Sequence, residues 1–128
     1  VTQLVKGMLK KRIQVEGAKV LVLGLSFKEN CPHIRNTRIV DIISELKEYH
    51  IDADIYDPWI NSEEAQHEYG ITPIQNLKQD HYDAIILAVA HNQFKEMGMA
   101  QIRALGKKEH ILYDLKYVLD QSESDIRL

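Results

Sequence analysis

Two unbroken apolar runs fix most of what this chain can become. Residues 20–25 (Val20-Leu21-Val22-Leu23-Gly24-Leu25) and 84–90 (Ala84-Ile85-Ile86-Leu87-Ala88-Val89-Ala90) carry no charge. Each is strand length and rich in β-branched residues or leucine. A strand with one wet face would alternate apolar and polar residues. A continuous run indicates burial on both faces, the pattern of a parallel sheet covered by helices.

The intervening segments supply those helices. Ile39, Ile42, Ile43, Leu46 and Tyr49 recur at helical spacing and predict a helix over 38–49, with Asn36 or Thr37 as its N-cap. Residues 51–56 predict a second strand, closed by Asp57-Pro58. Residues 62–69 predict a short helix ended by Gly70. Residues 71–74 read as a short strand, 92–97 and 99–105 as helical or turn-like pieces, and 110–115 as a last strand. Residues 120–128 are polar and read as a tail. Val1, Leu4, Val5, Met8 and Leu9 make one stripe and predict a helix over 1–15. Its stripe is covered by this domain, or it is the end of a helix connecting to another one. Alternating strands and helices imply an α/β fold: a Rossmann-like three-layer α/β/α sandwich with a mainly parallel sheet.

At 128 residues this is one domain of ordinary size. A net charge of −3 argues against nucleic acid or a membrane surface as partner. No apolar run approaches the ~18 residues of a membrane-spanning helix. One cysteine, Cys31, makes no internal disulfide and fits a reducing, cytoplasmic setting. The histidines lack metal-ligand spacing, and we expect no metal site. The chain opens Val1-Thr2-Gln3-Leu4 without an initiator methionine, and we expect it to be a piece of a longer protein.

The stretch after the first strand carries the chemistry. Strand-to-helix loops usually take about 2–6 residues. This one runs from Gly24 to Thr37 and holds Lys28 and Arg35 at the carboxyl end of a parallel strand, where ligands of open α/β sheets bind. An ammonium, a guanidinium fork and the start of the following helix all favour an anion. The competing reading is a solvated loop whose cations pair with Glu29 or Asp57. The segment is not a dinucleotide fingerprint, which needs three glycines where this loop has only Gly24.

The run from Gly24 to Thr37, Gly-Leu-Ser-Phe-Lys-Glu-Asn-Cys-Pro-His-Ile-Arg-Asn-Thr, resembles the C-terminal domain signature of the UDP-glucose/GDP-mannose dehydrogenase family. Its Phe-Lys-Glu-Asn-Cys-Pro core is most similar to the UDP-N-acetyl-hexosamine 6-dehydrogenases of bacterial surface-polysaccharide synthesis. Tyr56-Asp57-Pro58-Trp59, the segment 88–94, Tyr113-Asp114-Leu115-Lys116 and the ending 125–128 match in order and spacing.

The resemblance implies a division of labour. Residues 1–15 would be the end of a linker helix from a central domain, and 16–128 a UDP-sugar-binding domain. Phe27, Lys28 and Lys116 would contact the UDP-N-acetyl-hexosamine, and Arg35 the pyrophosphate of NAD, itself held mainly by an N-terminal domain. The catalytic cysteine would lie outside this chain, leaving it inactive alone, and the intact enzyme would be a homodimer or larger. Where relatives usually carry Asp, this chain has His33, so the acid that would orient Arg35 is missing. A non-catalytic Rossmann-type module for a nucleotide or a protein is the alternative.

Cys31, Asp57, Trp59 and His91 are read first as structural residues: a small loop residue, a turn or cap, a packing anchor, and a cap or packing group. The basic run from Lys6 to Arg12 is read as a solvated helix face.

Overall fold

The computed structural model describes residues 1–35 and 37–127. Both apolar runs form central strands. β1 (Lys19–Leu23) pairs in parallel with β2 (Asp52–Tyr56) on one side and with β3 (Tyr82–Leu87) on the other. β4 (Gly106–Asp114) follows β3, and β5 (Ile126–Arg127) lies outside β4. The order is β2-β1-β3-β4-β5, and every strand pair among the described residues is parallel. The chain leaves β1 toward β2, then returns to β1's other side to begin β3. That reversal opens a crevice at the carboxyl ends of β1 and β3.

Because side chains alternate across a strand, the sheet divides the core in two. Val20, Val22, Ala84 and Ile86 join one cluster, with Leu4 and Met8 of α1 (Thr2–Lys10) and Ile39, Ile43 and Leu46 of α2 (Ile39–Glu48). Leu21, Leu23, Ile85 and Leu87 join the other, with Phe94 and Ile102 of α4 (Asn92–Arg103). The sandwich expected from the apolar runs is therefore present. Between β2 and β3 lies α3 (Ser62–Tyr69), capped by the Asn61 side chain and ended by Gly70 in the left-handed conformation. α4 bends at Gly98 (φ 71°, ψ 172°), joining the two helical pieces read from sequence.

Three local expectations are corrected. The helix expected over 1–15 stops at Lys10, because Arg12 turns left-handed (φ 59°) and Ile13 N–H closes back on the Met8 carbonyl at 2.9 Å. Residues 71–74 form no strand: Pro73 has no N–H to give a ladder, and one bond, Ile74 N–H to the Ile55 carbonyl, ties the segment to β2. The polar ending is not a tail. A short 3-10 turn (Gln121–Glu123) leads into β5, which extends the sheet. Asp125 makes this possible, accepting Leu112 N–H at 2.8 Å and the Arg103 guanidinium at 3.1 Å.

The expected cap at Asn36 lies outside the described residues. Thr37 is not the cap: Arg38 holds the N-cap position of α2 without a side-chain cap bond, and Thr37, one residue earlier, accepts Ile39 N–H on its Oγ1 at 3.3 Å. Among the described residues no helix is long and apolar enough to cross a membrane.

Candidate functional site

The crevice at the β1/β3 ends contains a hollow of about 160 Å³. Its walls come from four places: Ser26 to Glu29 after β1, Thr37 to Ile39 at the start of α2, Ala88 to Ala90 after β3, and Lys116 after β4. Phe27, Lys28 and Lys116, read from sequence as ligand contacts, therefore meet here although Lys116 is distant in the chain. A wider hollow of about 450 Å³ continues past Phe27, Thr37 and Arg38 to Asp41. Phe27 is 57% exposed, an unusual position for a phenylalanine unless something covers it.

The loops after β1 and β4 are each held by a buried carboxylate. Asp57, just beyond β2, takes Leu25 N–H at 2.7 Å and Ser26 N–H at 2.9 Å on one oxygen, and Trp59 N–H at 2.8 Å on the other. Burial pushes this carboxyl up, but the bond from His91 and those backbone bonds outweigh it and hold it below the usual carboxylate value. Asp114, the last residue of β4, is fully buried and does the same for the next loop. It accepts N–H groups from Lys116 (3.2 Å), Val118 (3.0 Å) and Leu119 (2.8 Å). The guanidinium of Arg127 stacks 4.1 Å from the ring of Tyr117, within that loop. Farther along the first loop, Phe27 N–H reaches the His33 carbonyl, and the Tyr69 hydroxyl the Ile34 carbonyl at 2.6 Å. The long loop is thus a folded object, not a solvated tether.

Among the described residues three cations, Lys28, Arg38 and Lys116, line the hollow beside the amino end of α2, with Glu29 as the one acid. Arg35 is exposed in the turn before α2 and does not line the hollow. No ion pair joins it to another described side chain, and His33 beside it is exposed. Arg38 is the residue the sequence reading missed. In the sequence it reads as the first residue of a helix, although a guanidinium at a helix start on the ligand edge is a signal for an anion.

Asp57 serves neither Lys28 nor Arg35 as ion-pair partner; its bonds go to backbone and to His91. Cys31 is buried, as a loop-packing residue would be. Trp59 is 36% exposed and donates its indole N–H to Gln93 at 2.9 Å. His91 precedes α4 but makes no side-chain cap; its ring turns inward to Asp57 and Ser26. Of the basic run, Lys11 pairs with Asp125 at 3.7 Å, while Lys6 and Lys10 line a separate hollow of about 390 Å³ against Ile111 and Ile126.

Comparison with known proteins gives the family and the fold. Residues 21–121 match the UDP-glucose/GDP-mannose dehydrogenase family, UDP binding domain. The whole chain is 62% identical to 30% of the UDP-N-acetyl-D-glucosamine 6-dehydrogenase of Pseudomonas aeruginosa. Over 126 residues it is 59% identical to that of Salmonella typhi, again 30% of the relative. Among solved structures, a UDP-glucose dehydrogenase from Pyrobaculum islandicum superposes with a TM-score of 0.70 at 25% identity, over 98% of this chain and 27% of that one. An NDP-N-acetyl-D-galactosaminuronic acid dehydrogenase from Methanosarcina mazei Go1 reaches 0.80 at 19%, over 93% and 25%, and speaks to the fold. The chain spans about a third or less of each of these proteins.

Proposed function

The chain belongs to the UDP-glucose/GDP-mannose dehydrogenase family, and on that premise we propose that it grips the sugar nucleotide for a UDP-N-acetyl-hexosamine 6-dehydrogenase. The longer protein would oxidise the C6 alcohol of the hexosamine to the carboxylate for bacterial surface-polysaccharide synthesis. The convergence of Lys28, Arg38 and Lys116 on one hollow at the switch point carries this reading. A diphosphate presents charged oxygens to all three, and amide N–H groups at the α2 start favour the same charge. Phe27, exposed beside the cations, offers an apolar face to the base or sugar. Residues 1–15 would be the end of the linking helix, and 16–128 the UDP-sugar domain.

NAD, when bound, supplies the hydride acceptor. The first βα turn of this chain does not fit it in the manner of a dinucleotide domain. The space a Cβ would fill at Gly24 is already taken by Val89, 2.6 Å away, so the glycine serves strand packing and leaves no cradle for a pyrophosphate. Arg35, exposed outside the hollow, would meet NAD from across a cleft, as the resemblance to the family implies. This chain's part is to bind and orient the sugar nucleotide and to cover it from water.

Calorimetric titration with UDP tests the reading. Binding that weakens steeply from UDP to UMP to uridine is expected, since the cations would read the phosphates. Equal binding of uridine and UDP would overturn it.

A further inference from the structure

Between Ser26 and Asn30 the chain makes a three-residue arch, Phe27-Lys28-Glu29, whose residues line the hollow. Both feet of that arch rest on one imidazole. The Nδ1 of His91 accepts Asn30 N–H at 2.9 Å, and Nε2 lies 2.9 Å from Ser26 Oγ and 3.0 Å from Asp57 Oδ2. A backbone N–H can only donate, so the neutral ring carries its proton on Nε2, where it is shared between the Asp57 carboxylate and the Ser26 Oγ, both of which accept. The Ser26 hydroxyl then donates to the Lys28 carbonyl at 3.3 Å, inside the arch.

The imidazole itself is enclosed. His91 has no exposure, and the rings of Phe94 (5.4 Å) and Trp59 (6.1 Å) flank it. Asn30 adopts a left-handed conformation (φ 53°), which asparagine tolerates better than most side chains. Its Oδ1 accepts Asn92 N–H at 2.9 Å, tying the same foot to the residue after His91. The ring does not line the hollow, so it acts through the arch.

We infer that His91, held by Asp57, is a positioning residue that fixes the 26–30 arch so that Phe27 and Lys28 stand ready at the hollow. Its consequence for ligand affinity rests on the reading of the hollow as a UDP site. With the arch already ordered, a bound diphosphate need not order it.

Two substitutions separate the two ring nitrogens. In His91→Asn the side-chain oxygen falls near the position of Nδ1 and can still receive Asn30 N–H. In His91→Gln the amide nitrogen falls near Nε2 and can still face Asp57, but the Asn30 foot is lost. Amide hydrogen exchange at Asn30, UDP titration and thermal melting are measured on each. His91→Gln is expected to release the Asn30 amide and raise the UDP dissociation constant about tenfold, the scale of one lost hydrogen bond. His91→Asn is expected to keep Asn30 protected and most of the affinity, even where both melt at a similar temperature.

Affinity that follows melting temperature alone, or an Asn30 amide released with no change in UDP affinity, would overturn the inference. If both variants fail to fold, Ser26→Ala loosens the other foot. It should weaken UDP severalfold, and unchanged affinity there would equally count against the clamp. A wild-type chain that binds no UDP would sink the reading of the hollow, while Asn30 exchange in the variants would still decide whether His91 holds the arch.

Discussion

Gly24 and Val89 touch where the two central strands end: a Cβ on Gly24 would lie 2.6 Å from both Cβ and Cγ2 of Val89 and 2.9 Å from its backbone nitrogen. Gly24 also has φ +110°, a conformation L side chains rarely adopt. Because the glycine is small and permissive, the loops after β1 and β3 can approach and share one crevice. Gly24→Ala should therefore cost about 2–5 kcal/mol, combining backbone strain with overpacking. Urea denaturation measures it, and a loss below about 1 kcal/mol would mean the strand ends are free to move apart.

Much of this was readable in advance, for a physical reason. A strand buried on both faces has no choice but to be apolar throughout, so residues 20–25 and 84–90 announced the sheet. What sequence could not carry were partnerships between distant polar residues. Asp57 and His91 are 34 positions apart, and nothing local says that one will hold the other. β5 is hidden because it is only two residues long and the bonds that seat it beside β4 are made by Asp125, just before it, with Arg103 and Leu112 N–H, so no apolar pattern announces it. Lys28 is legible from its place in the long loop after β1, whereas Phe27 and Lys116 come into view only through the resemblance to the family. Arg38 was overlooked since an arginine opening a helix looks like ordinary surface.

The three cations of the hollow should differ in what they tolerate. Lys28→Ala is expected to weaken UDP-sugar binding by about 1.5–3 kcal/mol, the scale of a hydrogen bond to a charged group. Lys116→Arg should bind at least as well as wild type, since a fork can grip two phosphate oxygens where an ammonium is a point charge. Calorimetry on single variants checks both. Unchanged affinity in Lys28→Ala would remove that lysine from the site.

Arg35 and Arg38 make a matched pair for steady-state kinetics in the full-length enzyme. Arg35 stands outside the hollow and Arg38 in its wall. Arg35→Ala should raise the Michaelis constant for NAD more than that for UDP-sugar, and Arg38→Ala should do the opposite. The reverse pattern would mean that the two guanidiniums have been assigned to the wrong sides of the cleft.

Acid should loosen the polar end of the sheet. Burial pushes the Asp125 carboxyl up, yet the bonds from Arg103 and Leu112 N–H, with the nearby charges of Arg103 and Lys11, outweigh it. The carboxyl is held below its ordinary value of 3.8. A group whose folded value is depressed stabilises the fold fully above its unfolded value, and that contribution is lost as pH falls through the folded value. Asp57 is depressed in the same direction, and its loss of charge in acid weakens the hold on the loop after β1 in wild type and variant alike. Asp125→Asn should be less stable than wild type at neutral pH by about 1–3 kcal/mol, the cost of losing a charged hydrogen-bond acceptor. The gap between the two proteins should narrow as pH drops below about 4, because wild type loses the same charge there. Urea denaturation at a series of pH values measures that gap. If it stays constant from neutral to strongly acidic pH, the carboxylate charge does not hold β5 on the sheet, and neutral hydrogen bonds do.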